Sequence, residues 1–216
     1  MRHRIITIDG PAGAGKTTVS RQLAKKLGCV YVDTGALYRG VAHQIREKGI
    51  DWKNAAALEG LLKGLDFKFT HNGPRLTVSG RDISHEIRTP EISMLASETS
   101  ALPAVRRALL DIQRAMAGSQ DTVFEGRDMG TVVFPHAPFK FFLFADLSIR
   151  ARRRCEEMAG TETELAKVQK DMEARDQNDS QRKVAPLKPA EDAIKIDSTR
   201  MGVQEVVDAM HKIIKK

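Results

Sequence analysis

Short runs of β-branched and aliphatic residues recur along the chain, separated by stretches whose apolar positions return every three or four residues. The short runs are Ile5–Ile8, Cys29–Val32, Thr122–Phe124, Phe139–Phe144 and Ala193–Ile196. Their continuous apolar character predicts strands buried on both faces, as in a parallel sheet. Thr17–Leu27 carries Val19, Leu23 and Leu27 at four-residue spacing, and Gly28 closes it as a helix C-terminal glycine would. Ala36–Lys48 predicts a second helix. Pro103 opens a third, with Val105, Leu109, Ile112 and Met116 on one face. Val203–Ile214 repeats the pattern through Val203, Val206, Val207, Met210, Ile213 and Ile214. Alternating strands and helices predict a layered α/β fold around a parallel sheet.

The alternation lapses twice. Between about Leu61 and Ser100, "LDFKF", "HNG" and "RLTVSG" read as strand, turn and strand. They predict a small antiparallel insertion, followed by a helix near Glu91–Ser97. From about Glu156 to Pro189 no strand is predicted. Leu165, Val168 and Met172 there suit a surface helix with a thin apolar face. The expected division is a core of residues 1–60, 101–150 and 190–216, an insertion at 61–100, and a helical segment at 151–189.

The 216 residues suffice for one α/β domain with a modest insertion. Aromatic content is only 5%, so aliphatic side chains must fill the core, where Cys29 is also expected. A net charge of +7 favours anionic ligands without choosing among nucleic acid, anionic lipid and small phosphorylated molecules. The basic residues are spread out, apart from a run at Arg150, Arg152, Arg153 and Arg154. Two distant cysteines, Cys29 and Cys155, argue against a disulfide framework or a zinc site. Met1–Arg4 before an apolar run faintly resembles a secretory leader, but the run is short and Asp9 interrupts it. No stretch approaches the ~20 apolar residues of a membrane span. The expected protein is soluble, cytoplasmic and monomeric.

"GPAGAGKTT" changes the picture. Gly10-Pro11-Ala12-Gly13-Ala14-Gly15-Lys16-Thr17 matches the P-loop pattern in full, and Thr18 follows it into the helix. Glycines let successive N–H groups converge on phosphate oxygens, and the helix adds its positive end. Lys16 supplies a point charge at the β and γ phosphates. The Thr17 hydroxyl suits Mg²⁺, which keeps several waters. The predicted site therefore holds phosphate, and the motif by itself leaves the reaction open. A GTPase needs an element such as Asn-Lys-x-Asp, which is absent. A helicase or recombinase reading would use Asp128 as its acidic residue after an apolar strand. A nucleic-acid-stimulated ATPase suits the basic charge, but the chain has no aromatic stacking platform and no recognisable nucleic-acid module.

Two further segments follow predicted strands. "DTGALYR" brings Tyr38 and Arg39 into the first turns of a helix. "EGRDMGTVVFP" delivers Arg127 and Asp128 to the carboxyl edge of the sheet, where ligands bind in open α/β folds. Arginines suit bidentate phosphate binding; an ion pair that merely supports loops is the other reading. Arg175, Asp179 and Arg182 would share one helical face, as phosphate-closing groups or as a solvent-facing salt-bridge ladder.

"IDGPAGAGKTT", "DTGALYR", "EGRDMGTVVFP", "RKVAPL" and "DST", in this order, resemble bacterial-type cytidylate kinase over nearly the whole chain. The resemblance implies a P-loop kinase with a five-stranded parallel sheet, a nucleoside-monophosphate-binding insertion and a mobile lid. It implies transfer of the γ-phosphoryl of ATP to CMP or dCMP, with Mg²⁺ and no specific nucleic-acid or membrane partner. It also implies that Lys16, Arg127, Arg175 and Arg182 are catalytic. By the same resemblance Arg39 and Arg127 bind the CMP phosphate with Tyr38 nearby. Thr34, Ser97, Arg106 and Asp128 surround cytosine, Asp179 takes the ribose, and one or more of Arg150–Arg154 meets ATP. The sequence departs from the family at Phe144-Ala145-Asp146, where Asp-Ala-Ser is common, and at Thr34, where serine also occurs.

Overall fold

The computed structural model describes residues 3–69, 75–118, 120–158 and 162–215. The turn read at His71–Gly73 lies outside them. The chain forms two compact units, one of residues 1–32 and 117–216, the other of residues 33–116.

The first unit is built on the expected five-stranded parallel sheet. Its strands are β1 (Ile5–Asp9), β2 (Val30–Asp33), β6 (Thr122–Gly126), β7 (Phe139–Phe144) and β8 (Ile194–Asp197). They lie in the order β2-β6-β1-β7-β8. Central β1 pairs in parallel with β6 on one side and β7 on the other, with Ile8 opposite both Glu125 and Phe141. This register ends β1 and β6 side by side, at Asp9 and Gly126. The residues after both strands, including the P-loop and Arg127, therefore leave the sheet together.

Helix α1 (Lys16–Leu27) turns its Val19 and Leu23 onto the sheet, as the four-residue spacing predicts. Helix α8 (Val203–Ile214) places Val206, Val207, Met210 and Ile214 in the same core, against Ile6, Val123 and Leu143. Burying each such side chain stabilises the fold by about 1.5–3 kcal/mol. Helices α6 (Leu147–Glu157) and α7 (Glu162–Gln181) pack together and fill the predicted strandless stretch. Among the described residues there, no strand occurs.

The second unit holds α2 (Thr34–Glu47), α3 (Ala55–Lys63), α4 (Pro90–Thr99) and α5 (Pro103–Ala115). It also holds a small antiparallel sheet of β3 (Phe67–Phe69), β4 (Leu76–Val78) and β5 (Arg81–Asp82). Leu37, Val41, Leu76, Ile83, Val105 and Leu109 share its core.

Several boundaries differ from the sequence reading. The second strand starts at Val30, and Cys29 packs only partly buried at the core margin. Helix α2 starts at Thr34, because the Asp33 side chain caps it by accepting from the Ala36 N–H at 3.1 Å. Strand β6 runs on to Gly126, which puts Glu125 in the sheet. Helix α3 was not anticipated; Asn54 caps it through the N–H groups of Ala56 and Ala57. Residues 33–60 and 101–116 belong to the unit that holds the antiparallel sheet. Among the described residues, no helix is long and apolar enough to cross a membrane.

Candidate active site

The P-loop joins β1 to α1. Two of its glycines are needed for space as well as for bending. A Cβ at Gly10 would lie 1.9 Å from the Leu143 carbonyl oxygen. Gly13 has φ +69°, and a Cβ there would lie 3.0 Å from the Arg150 carbonyl oxygen. Lys16 is buried and donates to the Pro11 carbonyl at 2.7 Å. Burial holds its pKa well below the usual lysine range, and the positive charges of Arg127 and Arg175 add to this, while Glu125 and Asp176 oppose it. A cation crowded by cations is suited to an incoming polyanion. The Thr17 hydroxyl donates to Glu125 Oε1 at 2.8 Å.

Asp9 holds the next segment. Its buried carboxylate accepts from the Met129 N–H at 2.9 Å and the Gly130 N–H at 2.8 Å. Burial pushes its pKa up to about 6, against the opposing effect of those two hydrogen bonds. Residues Met129–Val133 form a π-helical turn, in which Phe134 N–H donates to the Met129 carbonyl at 2.7 Å. One carboxylate thus ties the start of the P-loop to the turn that presents Arg127 and Asp128.

Arg127, Arg175 and Arg182 meet around Asp179. Arg127 donates from Nε to Asp179 Oδ2 at 2.9 Å, and an Arg182 terminal nitrogen lies 3.8 Å from Asp179 Oδ1. Burial opposes the Asp179 charge, but Arg127, Arg175 and Arg182 together hold its pKa below the usual carboxylate range. Arg182 also reaches Asp128 Oδ1 at 3.4 Å and donates to the Ala185 carbonyl. Ala185 sits at φ +50°, a left-handed turn within "RKVAPL" that aims its carbonyl back at Arg182. These residues form a largely buried network and not a solvent-facing ladder: Asp179 and Arg182 are both buried, and because α7 ends at Gln181, Arg182 reaches Asp179 from just beyond the helix and not from a shared helical face.

The second unit carries the remaining candidates. Arg39 donates to Asp33 Oδ2 at 2.8 Å, and its buried Nε has no hydrogen-bond partner among the described residues. Burial opposes the Asp33 charge, but Arg39 and Arg88 hold its pKa below the usual range. The Arg106 guanidinium lies 5.5 Å over the Tyr38 ring and donates to the Ser100 carbonyl at 3.2 Å. Ser97 and Thr34 are buried.

Sequence reasoning missed Asp9, Glu125 and Asp176 as parts of the site. Asp9 and Glu125 each left a signal, an acid closing an apolar strand, but not of what it binds. The basic run divides by role. Arg150 is buried and donates to the carbonyls of Ala145 and Ala12. Arg153 donates to the Ser198 carbonyl at 2.8 Å. Arg153 also lines a cavity of about 350 Å³ with Gly13, Thr18, Ser198, Met201 and Val203. That volume suits a small ligand such as a nucleoside.

The family profile described as cytidylate kinase matches residues 6–216. The chain belongs to the cytidylate kinase family. A protein from Geobacter sp. named cytidylate kinase is 45% identical over 216 residues, covering 98% of this chain and 93% of the relative. One of the same name from Pseudomonas syringae pv. tomato is 47% identical over 210 residues, covering 94% and 92%. A solved structure of an uncharacterized protein from Eubacterium ventriosum superposes with a TM-score of 0.53 at 13% identity, covering 99% of both chains, which shows a shared fold. Family membership makes the chain a kinase and its P-loop a nucleotide-phosphate site. Within this cytidylate kinase family member, the missed acids are what hold the motif residues in place.

Proposed function

We propose that the protein transfers the γ-phosphoryl of ATP to CMP or dCMP, giving ADP and CDP or dCDP. The observation that carries this reading is the meeting of Arg127 and Arg182 on Asp179, with the charge of Arg175 acting on both Asp179 and the P-loop lysine. Two anions must approach each other in this reaction, and the repulsion between them is the main obstacle. Catalysis is then positioning plus electrostatic stabilisation. Lys16, Arg127, Arg175 and Arg182 neutralise charge that develops on the transferring group. The CMP phosphate is already an anionic nucleophile, so no general base is assigned.

The P-loop residues Gly10–Thr18 take the ATP phosphates, and the cavity lined by Arg153 and Met201 takes the nucleoside of ATP. Thr17 would hold Mg²⁺ together with the phosphates and water. The donor set fits a hard cation, since a hydroxyl stands 2.8 Å from a buried carboxylate oxygen of Glu125. When bound, the ion neutralises phosphate charge and orients the γ-phosphoryl.

For CMP, Arg39 and Arg127 bind the phosphate with Tyr38, Asp179 takes the ribose, and Arg182 reaches CMP from the side of the transferring phosphoryl. Thr34, Ser97, Arg106 and Asp128 surround the base. A carboxylate beside cytosine accepts from its amino group, whereas uracil offers an acceptor there; leaving that mismatch buried would cost about 1–3 kcal/mol. Residues 61–100 act as the monophosphate-binding part and 151–189 as the lid. Lid closure excludes water that would otherwise hydrolyse ATP. The working form is a cytoplasmic monomer with no specific nucleic-acid partner.

Steady-state kinetics of Lys16→Ala and Arg127→Ala test these roles. Each is expected to lower kcat for CMP phosphorylation by about 100-fold or more, with the thermal melt retained. Wild-type turnover in either variant would refute the assignment.

A further inference from the structure

Helix α7 is fastened to the P-loop at one residue, Ala12. The Asp176 carboxylate accepts from the Ala12 N–H at 3.2 Å through Oδ1, and from Arg150 at 2.6 Å through Oδ2. The same Arg150 guanidinium donates to the Ala12 carbonyl at 2.9 Å and to the Ala145 carbonyl at 2.8 Å. Both polar groups of Ala12 are therefore held, one by α7 directly and one by a buried arginine of α6. One turn before Asp176, Met172 packs on Ala12 and Ala151, with Leu147, Leu165 and Val168 at the margin. The apolar seam fixes the distance between helix and loop, and the carboxylate fixes the register along the helix.

The neighbours of Asp176 make that register consequential. Arg175 precedes it in the chain, and Asp179 follows it on the same face at three-residue spacing. Arg175 acts on the charge of Lys16, and Asp179 carries the bond to Arg127. Any slip of α7 against the P-loop moves both.

We infer that Asp176 is a positioning residue for phosphoryl transfer, registering α7 against the P-loop through Ala12 and Arg150 so that Arg175 and Arg182 are held at the transferring phosphate and Asp179 at the ribose. This rests on the phosphoryl-transfer reading above. A carboxylate is required because two donors must be met at once by two acceptor oxygens. Asparagine offers one oxygen and would turn an amide NH₂ toward a guanidinium or an N–H. Glutamate keeps both acceptors on a longer stem.

The test compares wild type, Asp176→Asn and Asp176→Glu in three measurements. These are kcat and KM for ATP and CMP, the ratio of ATP hydrolysed to CMP phosphorylated, and amide exchange in the peptide containing Ala12. Asp176→Asn is expected to lower kcat by about 10–100-fold, the scale of a displacement near 1 Å in a reacting site. It should also raise the hydrolysis ratio, speed exchange at Ala12 and raise KM for CMP, since Asp179 moves with α7. Asp176→Glu should recover part of kcat and lower the hydrolysis ratio. If the asparagine variant does not fold, the glutamate variant decides, through reduced kcat and a raised hydrolysis ratio at an unchanged melting temperature. Faster exchange at Ala12 with wild-type kcat and hydrolysis ratio would overturn the inference, as would a loss of activity that only tracks the unfolded fraction. A wild-type chain that phosphorylates no CMP would instead refute the phosphoryl-transfer reading, and this inference with it.

Discussion

At the scale of single residues, charge state follows from what burial takes away and what neighbours return. Asp9 is the clearest case. Its pKa of about 6 lies above the unfolded value near ~3.9, so the folded state holds the extra proton between those values. Its contribution to stability is thus full below about pH 4 and is lost as pH rises through about 6. Relative to Asp9→Asn, the wild type should lose on the order of 1–3 kcal/mol of unfolding free energy between pH 4 and 7. Urea titrations of both proteins across that range check this. A constant difference between them would show that the carboxyl is not buried as described. The P-loop residues were legible because their chemistry is local: spacing, a strand before and a helix after. Asp9 and Asp176 were not. Asp9 meets Gly130 across 121 positions, and Asp176 meets Ala12 across 164, separations at which no pattern in a single sequence signals a bond.

Elements were legible in proportion to their length and periodicity. Strands β1, β6 and β7 and helices α1, α5 and α8 lie where the apolar pattern puts them. The two-residue β5 is too short to carry a period, and α3 straddles residue 60, where the reading divides core from insertion. The thin apolar face of α7 was read correctly, and it has an energetic consequence. Met172 is its buried member, whereas Leu165 and Val168 are only partly covered. Met172→Ala should therefore cost about 2–5 kcal/mol locally. That loss should release α7 before the sheet melts, because elements with few buried contacts open first. Hydrogen exchange is expected to accelerate across residues 164–181 while β1 and β6 stay protected. Uniform acceleration in both regions would mean that α7 unfolds only with the whole unit.

For the whole molecule, the sequence made the five-stranded parallel sheet and the antiparallel addition legible, but not how the helices are shared between the two compact units. The reason is physical. Amphipathic faces state that a helix is covered and leave open by what, so α2 and α5 read equally well beside either sheet. The excess of positive charge also takes its meaning at this scale. In the first unit the arginines, Lys16 and the carboxylates Glu125, Asp176 and Asp179 form one charge field, in which burial and neighbouring cations depress the lysine. Adding a polyanion should relieve that crowding. Saturating ATP with Mg²⁺ is expected to raise the melting temperature of the wild type and to leave Lys16→Ala nearly unmoved, since stabilisation by a ligand scales with its affinity for the folded state. Equal shifts in both proteins would place the nucleotide elsewhere.

The central claim, that this P-loop kinase phosphorylates cytidine monophosphates, is tested most directly by ADP release from ATP and Mg²⁺ with CMP, dCMP, UMP, AMP and GMP offered in turn. Turnover fastest with CMP and dCMP is the predicted result. Faster turnover with another monophosphate, or none with any of the five while ATP still binds, would contradict it.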